Sequence, residues 1–206
     1  MEQTQGSVLQ LAGQTSRHSV GDLPAASSEY TITLPARVKS VKSIFGTFID
    51  ATQMGSNQNF DTSVYQRGAL QNFRFEIGSV RYPQTNVNTL TPQFLVELQK
   101  AWGKLGDYQH QQAYQFKHCQ NDGGASGIRH GEDYTHSQMS AFTVGYDFEA
   151  FARVALEAGI NTSDRSLPIN FIVNKGTTTN NVRADFFVLT DAIYYINLDG
   201  SASVSI

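Results

Sequence analysis

Residues 182–206 (VRADFFVLTDAIYYINLDGSASVSI) constrain the fold more than any other stretch of this chain, because they read as consecutive β-strands joined by a turn signal. Tyr194, Ile196 and Leu198 alternate with Tyr195 and Asn197, the period-two pattern of a half-buried strand, and Asp199-Gly200 supplies the turn. The pattern also bears on register. A two-residue loop would set Leu198 against Ser201 and Ile196 against Ser203, whereas a three-residue loop sets Leu198 against Ala202 and Ile196 against Val204. The second register, which pairs apolar with apolar, is the expected one. Phe186 and Phe187 are adjacent, so their strand either buries both faces or offers one ring to a neighbouring subunit.

Upstream, strand-like segments recur at 30–34, 40–49, 73–77, 142–147 and 167–173, with turn chemistry between them, which is the spacing of a sandwich or barrel. In Phe73-Arg74-Phe75-Glu76-Ile77 the apolar residues share one face and the charges the other, so one face is packed and one is wet. Two helices are expected between strands. The first spans 91–105, with Thr91 as N-cap, Pro92 at the first helical position, a stripe of Phe94, Leu98, Ala101, Trp102 and Leu105, and Gly106 to end it. The second spans 148–158, with Asp147 as cap, a short Phe148, Phe151, Ala155 stripe and Gly159 after it. Residues 107–138 form a long polar insert expected to be an exposed loop, and 57–62 and 175–181 are expected to be smaller loops that bury little.

Composition narrows the class. With 206 residues, 40% hydrophobic and 11% aromatic, the chain suits one compact domain over 1–206 with a sizeable core. Its 15 basic residues are outnumbered by 18 acidic ones and are dispersed apart from Arg37, Lys39 and Lys42, so no basic stripe for direct nucleic-acid binding is present. Those three charges are expected on a solvated face opposite Val38. A lone Cys119 excludes an internal disulfide framework. No apolar run approaches the roughly 18 residues of a membrane span, and the polar MEQTQGSVLQ start has no apolar signal region, so no transmembrane or export segment is expected. Asn161-Thr162-Ser163 spells a glycosylation sequon, read without an export signal as a chance match.

Catalytic chemistry is weakly represented. His118, Cys119, His130 and His136, with Glu132 and Asp133, offer zinc- or iron-type ligands, yet they lack both the close ligand pairs of structural zinc sites and the His-x-His of a cupin strand. Cys119 has neither a Gly-x-Ser-x-Gly elbow nor a cysteine-protease setting around it. The acids Glu76, Glu97, Asp147 and Glu149 are too dispersed to be paired from sequence. Asp122-Gly123-Gly124-Ala125-Ser126-Gly127 lacks the lysine and the strand-to-helix setting of a phosphate loop. Tyr82, Trp102, Tyr194 and Tyr195 could stack on sugars or bases, but packing is their commoner use. No catalytic, cofactor or metal residue is assigned, and the chain is expected not to be an enzyme.

The order of segments resembles the C-terminal jelly roll of double-jelly-roll major capsid proteins of double-stranded DNA viruses, including polinton-like viruses, virophages and the nucleocytoplasmic large DNA viruses. The resemblance is carried by Leu34-Pro35-Ala36-Arg37-Val38-Lys39-Ser40-Val41-Lys42-Ser43, by Phe75-Glu76-Ile77-Gly78-Ser79 with Tyr82-Pro83, and by Ala158-Gly159-Ile160-Asn161-Thr162. The ending Asp191-Ala192-Ile193-Tyr194-Tyr195-Ile196 with Asp199-Gly200 completes it. It implies an all-β jelly-roll sandwich of two four-stranded antiparallel sheets, with the 107–138 insert as an exterior or intersubunit loop. It further implies homotrimers that form pseudo-hexagonal capsomers, which tile an icosahedral shell in the virion beside penton and minor or cement proteins. The usual N-terminal jelly roll has no counterpart in these residues, and the domain's own first strand is hard to find before Val8. The chain is thus expected to be either one section of a longer protein or a free-standing single jelly roll. The other readings are a carbohydrate-binding jelly roll of the fibre-head or lectin type and, third, a cupin- or hydrolase-type enzyme holding metal at His118, His130 or His136.

Overall fold

A computed structural model describes residues 3–5, 8–52, 65–103, 142–149, 159–164, 167–197 and 199–206. The 107–138 insert, the 57–62 loop and all but the first two residues of the second expected helix lie outside these, as do His118, Cys119, His130, Glu132, Asp133 and His136.

The described strands form two antiparallel sheets. The first contains β1 (Gln3–Gln5), β2 (Val8–Leu23), β4 (Val41–Asp50), β7 (Thr143–Asp147), β9 (Val182–Asn197) and β10 (Ala202–Ser205), in the order β1-β2-β9-β4-β7 with β10 also paired to β9. The second contains β3 (Ser28–Leu34), β5 (Leu70–Ile77), β6 (Val80–Asn88) and β8 (Ile169–Lys175), in the order β3-β8-β5-β6. The two orders β2-β9-β4-β7 and β3-β8-β5-β6 interleave strands distant in sequence, which is the jelly-roll arrangement. The first sheet exceeds the expected four strands because β1 pairs with β2 and β10 with β9.

Inward-facing aromatics from both sheets make the core. Phe48 and Phe186 from the first sheet meet Phe171 of the second, with ring centroids 6.0 and 4.8 Å apart, and Phe171 continues to Phe73 and Phe75 at 5.8 and 5.3 Å. All five are fully buried. Rings at these separations add edge and offset attraction to their area burial. Phe186 faces this core while Phe187, its neighbour, is 40% exposed and stacks on His18 at 4.9 Å, so their strand is buried on one face there.

Several boundaries depart from the expected ones. The 16-residue β2 pairs with β9 from Val8↔Asn197 to Leu23↔Val182 and fills the first-strand position that no apolar alternation marked. The edge strand β6 was not expected either. The helix α1 spans Gln93–Ala101 rather than 91–105. Pro92 is its N-cap, while Thr91 bonds back to the Asn88 carbonyl; Gly103, at φ +61°, follows its end, and Leu105 and Gly106 lie outside the described residues. Phe94 and Leu98 are its buried residues, and α1 lies against β7, where a Cβ on Gly145 would meet Leu98 Cδ1 at 2.7 Å.

The tail hairpin follows a third register. Ile196 pairs with Ala202 and Tyr194 with Val204, while Asn197 N–H donates to the Ser201 carbonyl at 2.9 Å. The turn is closed by the Asn197–Ser201 bond, one residue earlier on each strand than the expected Leu198–Ala202 pair, and residues 198–201 lie between β9 and β10. Gly200 has φ +83° and donates to the Asn197 carbonyl at 3.0 Å, so glycine must take the left-handed third position of the loop, and this fixes the register. The buried alternation of β9 also fades beyond Ala192, leaving Ile196 38% and Val204 48% exposed. Among the described residues no helix is long and apolar enough to cross a membrane.

Candidate functional site

The strongest polar cluster forms around Lys42. A register shift between Val41 and Ser43 makes Lys42 a bulge residue of β4, out of the strand's alternation. Instead of the solvated position expected for it, Lys42 is 8% exposed, with Nζ 2.8 Å from Glu149 Oε1 and 3.2 Å from Asp191 Oδ1. Ser40 Oγ donates to Asp191 Oδ2 at 2.8 Å and accepts from the Gly159 N–H at 3.2 Å. The Phe148 N–H donates to the Lys42 carbonyl at 2.7 Å, and the Glu149 N–H to Asp147 Oδ1 at 3.0 Å. Burial works to lower the pKa of Lys42, but the bonds to Glu149 and Asp191 outweigh it and hold the ammonium above its ordinary range. Burial raises the Asp147 carboxyl, reinforced by the charge of Glu149.

These groups border a cavity of about 270 Å³ between the end of α1 and β4, β7 and β9, whose walls include Gln14, Lys42, Lys100, Trp102, Asp147 and Glu149. A lysine held protonated between two carboxylates is neither a nucleophile nor a base. The cluster ties the segment after β7 to β4 and β9, which is structural work. Of the acids considered from sequence, Asp147 and Glu149 fall together. Glu76 pairs with Arg74 and Arg81 at 2.9 and 3.3 Å, and Glu97 pairs with Lys100 at 2.9 Å. Among the described residues no group of three or more His, Cys, Asp or Glu is arranged to hold a metal.

The aromatic candidates are engaged within the fold. Tyr82 packs on Phe148 and Tyr146 at 5.4 and 6.4 Å, and Trp102 lies over Phe45 at 6.4 Å. Tyr194 is half-buried beside Gly13, and Tyr195 is half-buried on the opposite face. Arg37 and Lys39 are exposed as expected, and Lys39 Nζ reaches Ser205 Oγ at 3.2 Å.

Two features carried no sequence signal. Lys175, expected to open a solvated loop, instead ends β8 at 2% exposure and donates to the carbonyls of Pro24, Ala25 and Ala26 at 2.9, 3.3 and 3.4 Å and to Thr178 Oγ1 at 3.1 Å. Where β3 ends and β8 begins, a groove of about 390 Å³ opens beside Arg17 and Arg37.

No protein-family model matches the chain, and no curated protein matches it. Solved structures do. PBCV-1 VP54, whose crystal structure was fitted into a cryo-EM reconstruction of the virophage Sputnik, aligns with a TM-score of 0.52 at 9% identity, over 96% of this chain and 52% of that one. A quasi-atomic model of the PBCV-1 virus capsid aligns with a TM-score of 0.56 at 8% identity, over 97% of this chain and 52% of that one. The chain therefore spans about half the length of the capsid chains it matches, and at such identity the likeness concerns the fold. The described strands carry the jelly-roll fold seen in that part of the PBCV-1 capsid structures.

Proposed function

We propose that this chain is a shell-forming jelly roll of a viral major capsid protein, located in the virion and working by assembly rather than catalysis. The observation that carries this reading is the alignment of nearly the whole chain with part of the PBCV-1 capsid structures, in a β2-β9-β4-β7 and β3-β8-β5-β6 strand order. The 1–206 stretch then acts as a single jelly-roll domain. Trimers of a double jelly roll make pseudo-hexagonal capsomers that tile an icosahedral shell, with penton and minor or cement proteins completing it. The second jelly roll of each tower comes from the rest of a longer protein, from further copies of this chain or from a partner.

The physical chemistry of the fold supports such a role. A subunit of this kind derives stability from sheet packing plus large interfaces between copies. The first sheet presents Val20 and Phe187 on one face and Ile196 and Val204 on β9 and β10, all more than a third exposed. Scattered apolar residues of this kind are ordinary, but grouped on a sheet they are what an assembling subunit buries.

Cryo-electron microscopy of the purified native assembly tests the reading. Trimeric towers with this fold in a repeating lattice are expected. Isolated particles with no lattice, binding a glycan through a single aromatic side chain, would overturn it in favour of an attachment module.

A further inference from the structure

The outer edge of β2 offers backbone to a partner. Asp191 N–H donates to the Ser40 carbonyl at 3.2 Å and Asn197 N–H to the Ser201 carbonyl at 2.9 Å, both on the side of β9 that faces β4 and β10. Residues of an antiparallel strand address its two neighbours by turns, so the odd-numbered residues of β9 direct N–H and C=O away from β2. Their partners in the unbroken β2–β9 ladder, from Ala12 opposite Ile193 to Val20 opposite Asp185, therefore direct theirs away from β9. Ala12, Gln14, Ser16, His18 and Val20 are all exposed, and among the described residues none of their backbone groups meets a hydrogen-bond partner. β1 shows how this edge accepts a strand, since it pairs antiparallel with Val8, Leu9 and Gln10, the rungs just before the bare stretch.

A bare, regular edge is a template for another strand, and folds usually blunt it with a proline, a lysine, a bulge or a cover. Two other edges obey that rule. β6 holds Pro83 and slips register against β5 between Phe73 and Phe75, and β7 has five residues with α1 against it. From Leu11 to Gly21, β2 has no proline, lysine or register shift, and Arg17 is the one Arg, Lys, Asp or Glu in it. The stretch Ala12–Val20 gives about 30 Å of edge at about 3.4 Å per residue. A Cβ on Gly21 would meet Ile32 of the second sheet, so odd-numbered residues of β2 face inward. Arg17 belongs to that set and lines the 390 Å³ groove together with Leu34, Ala36, Leu167 and Pro168.

We propose that the Ala12–Val20 edge binds an extended segment of another polypeptide by antiparallel strand addition, with alternate apolar side chains turned to the groove side and an acidic one opposite Arg17. The backbone row selects the class of ligand, because only a second extended backbone returns a donor and an acceptor at each rung. Cross-strand pairs supply selectivity. Arg17 is exposed with no ion-pair partner among the described residues, and opposite charges facing each other across a ladder stabilise it while like charges oppose it. The β2 of a second copy does not supply that acid, since its one carboxylate, Asp22, has the opposite alternation and lies on the other face when two such edges pair. This contact requires no shell around it, so it stands or falls apart from the assembly reading.

The test is fluorescence anisotropy of the full chain with the labelled peptide Thr-Val-Thr-Glu-Thr-Val-Thr-Val-Thr, whose Glu lies opposite Arg17 when its last residue faces Ala12. Saturable binding is expected, weakened about tenfold or more by Ser16→Pro, which removes an outward N–H and no bond to β9. The peptide with Lys in place of Glu should bind about threefold or more weakly, and the peptide N-methylated at every residue should not bind. Thermal melts report folding: Thr15→Pro, which breaks the β9 ladder, should be the unstable variant of the two. If Ser16→Pro does not fold, hydrogen exchange on the wild type decides, since bound peptide must slow the amides of Gln14, Ser16 and His18. Absence of saturable binding, unchanged binding in a folded Ser16→Pro, equal binding of the Lys peptide or unprotected amides at these three residues overturns the proposal. Self-association without peptide, abolished by Ser16→Pro, would make a second copy the occupant and also overturn it. Each of these outcomes leaves the assembly reading to its own test.

Discussion

Lys42 Nζ lies 2.8 Å from Glu149 Oε1, with the two side chains 10% and 11% exposed, so the bulge of β4 is locked to the segment leaving β7 by a nearly dry ion pair. Asp191 completes the set from β9.

Replacing Lys42 by Met takes the ammonium away from the buried carboxylates of Glu149 and Asp191. A broken buried pair costs about 3–5 kcal/mol, which urea unfolding of the variant should report. The pH dependence has a definite sign. Because the folded-state pKa of Lys42 is raised, its contribution is whole below the unfolded value of about 10.4 and is lost as pH climbs through the folded value. The stability gap between wild type and Lys42→Met should therefore be flat through neutral pH and narrow in strong alkali.

Asp147 carries a linkage of the same sign in an acidic window. Its carboxyl is raised by burial first and by Glu149 second, so the native state holds the proton more tightly than the unfolded chain and stability falls as pH rises through that window. Asp147→Asn keeps an oxygen to accept the Glu149 N–H and removes the charge. Its melting temperature should exceed that of wild type at pH 7, with the difference vanishing in acid below the ordinary aspartate pKa. A variant less stable than wild type at pH 7 would refute this account.

Among the described residues, Thr190 Oγ1 is buried with no hydrogen-bond partner. Such a hydroxyl pays for desolvation without return, and valine has the same branched shape. Thr190→Val should stabilise the fold by about 1 kcal/mol, read as a higher denaturation midpoint at unchanged slope.

Gly159 sits against β4, where an added Cβ would run into the Val41 carbonyl and lie 2.8 Å from Ser40 Oγ. Backbone cannot step aside as a flexible side chain can. Gly159→Ala should lose about 1–3 kcal/mol by strain and break the Val41↔Ile160 bridge, seen as faster amide exchange at Val41 and Ile160.

Strands whose buried face is made of large apolar residues were legible in sequence. β4, β5, β8 and β9 bring Phe48, Phe73, Phe171 and Phe186 inward at period two, and the reading placed each of them within a few residues. β2 hid because its inward positions are small or polar. A Cβ on Gly21 would come within 2.5 Å of Ile32 Cγ2, and one on Gly13 within 3.0 Å of Tyr194, so larger neighbours fill that space and the strand shows no apolar stripe. The same blindness concealed the groove, since Arg17 could not be oriented on a strand that had not been recognised. Lys42 was misplaced because alternation cannot foresee a bulge, and the tail register because it turned on where a left-handed glycine must sit. The Asp191 and Glu149 partners are distant in sequence and meet Lys42 only through the fold.

The uninterrupted ladder between β2 and β9 gives the molecule a mechanical direction. Val8 faces Asn197 at one end and Leu23 faces Val182 at the other, and the ladder's hydrogen bonds run across the strands. A pull entering at Val8 and Asn197 opens the pair like a zip, one rung at a time and at low force. A pull that drags β2 along its own length against β9 loads every rung together in shear, so the sheet resists stretching along its strands far better than peeling at that end.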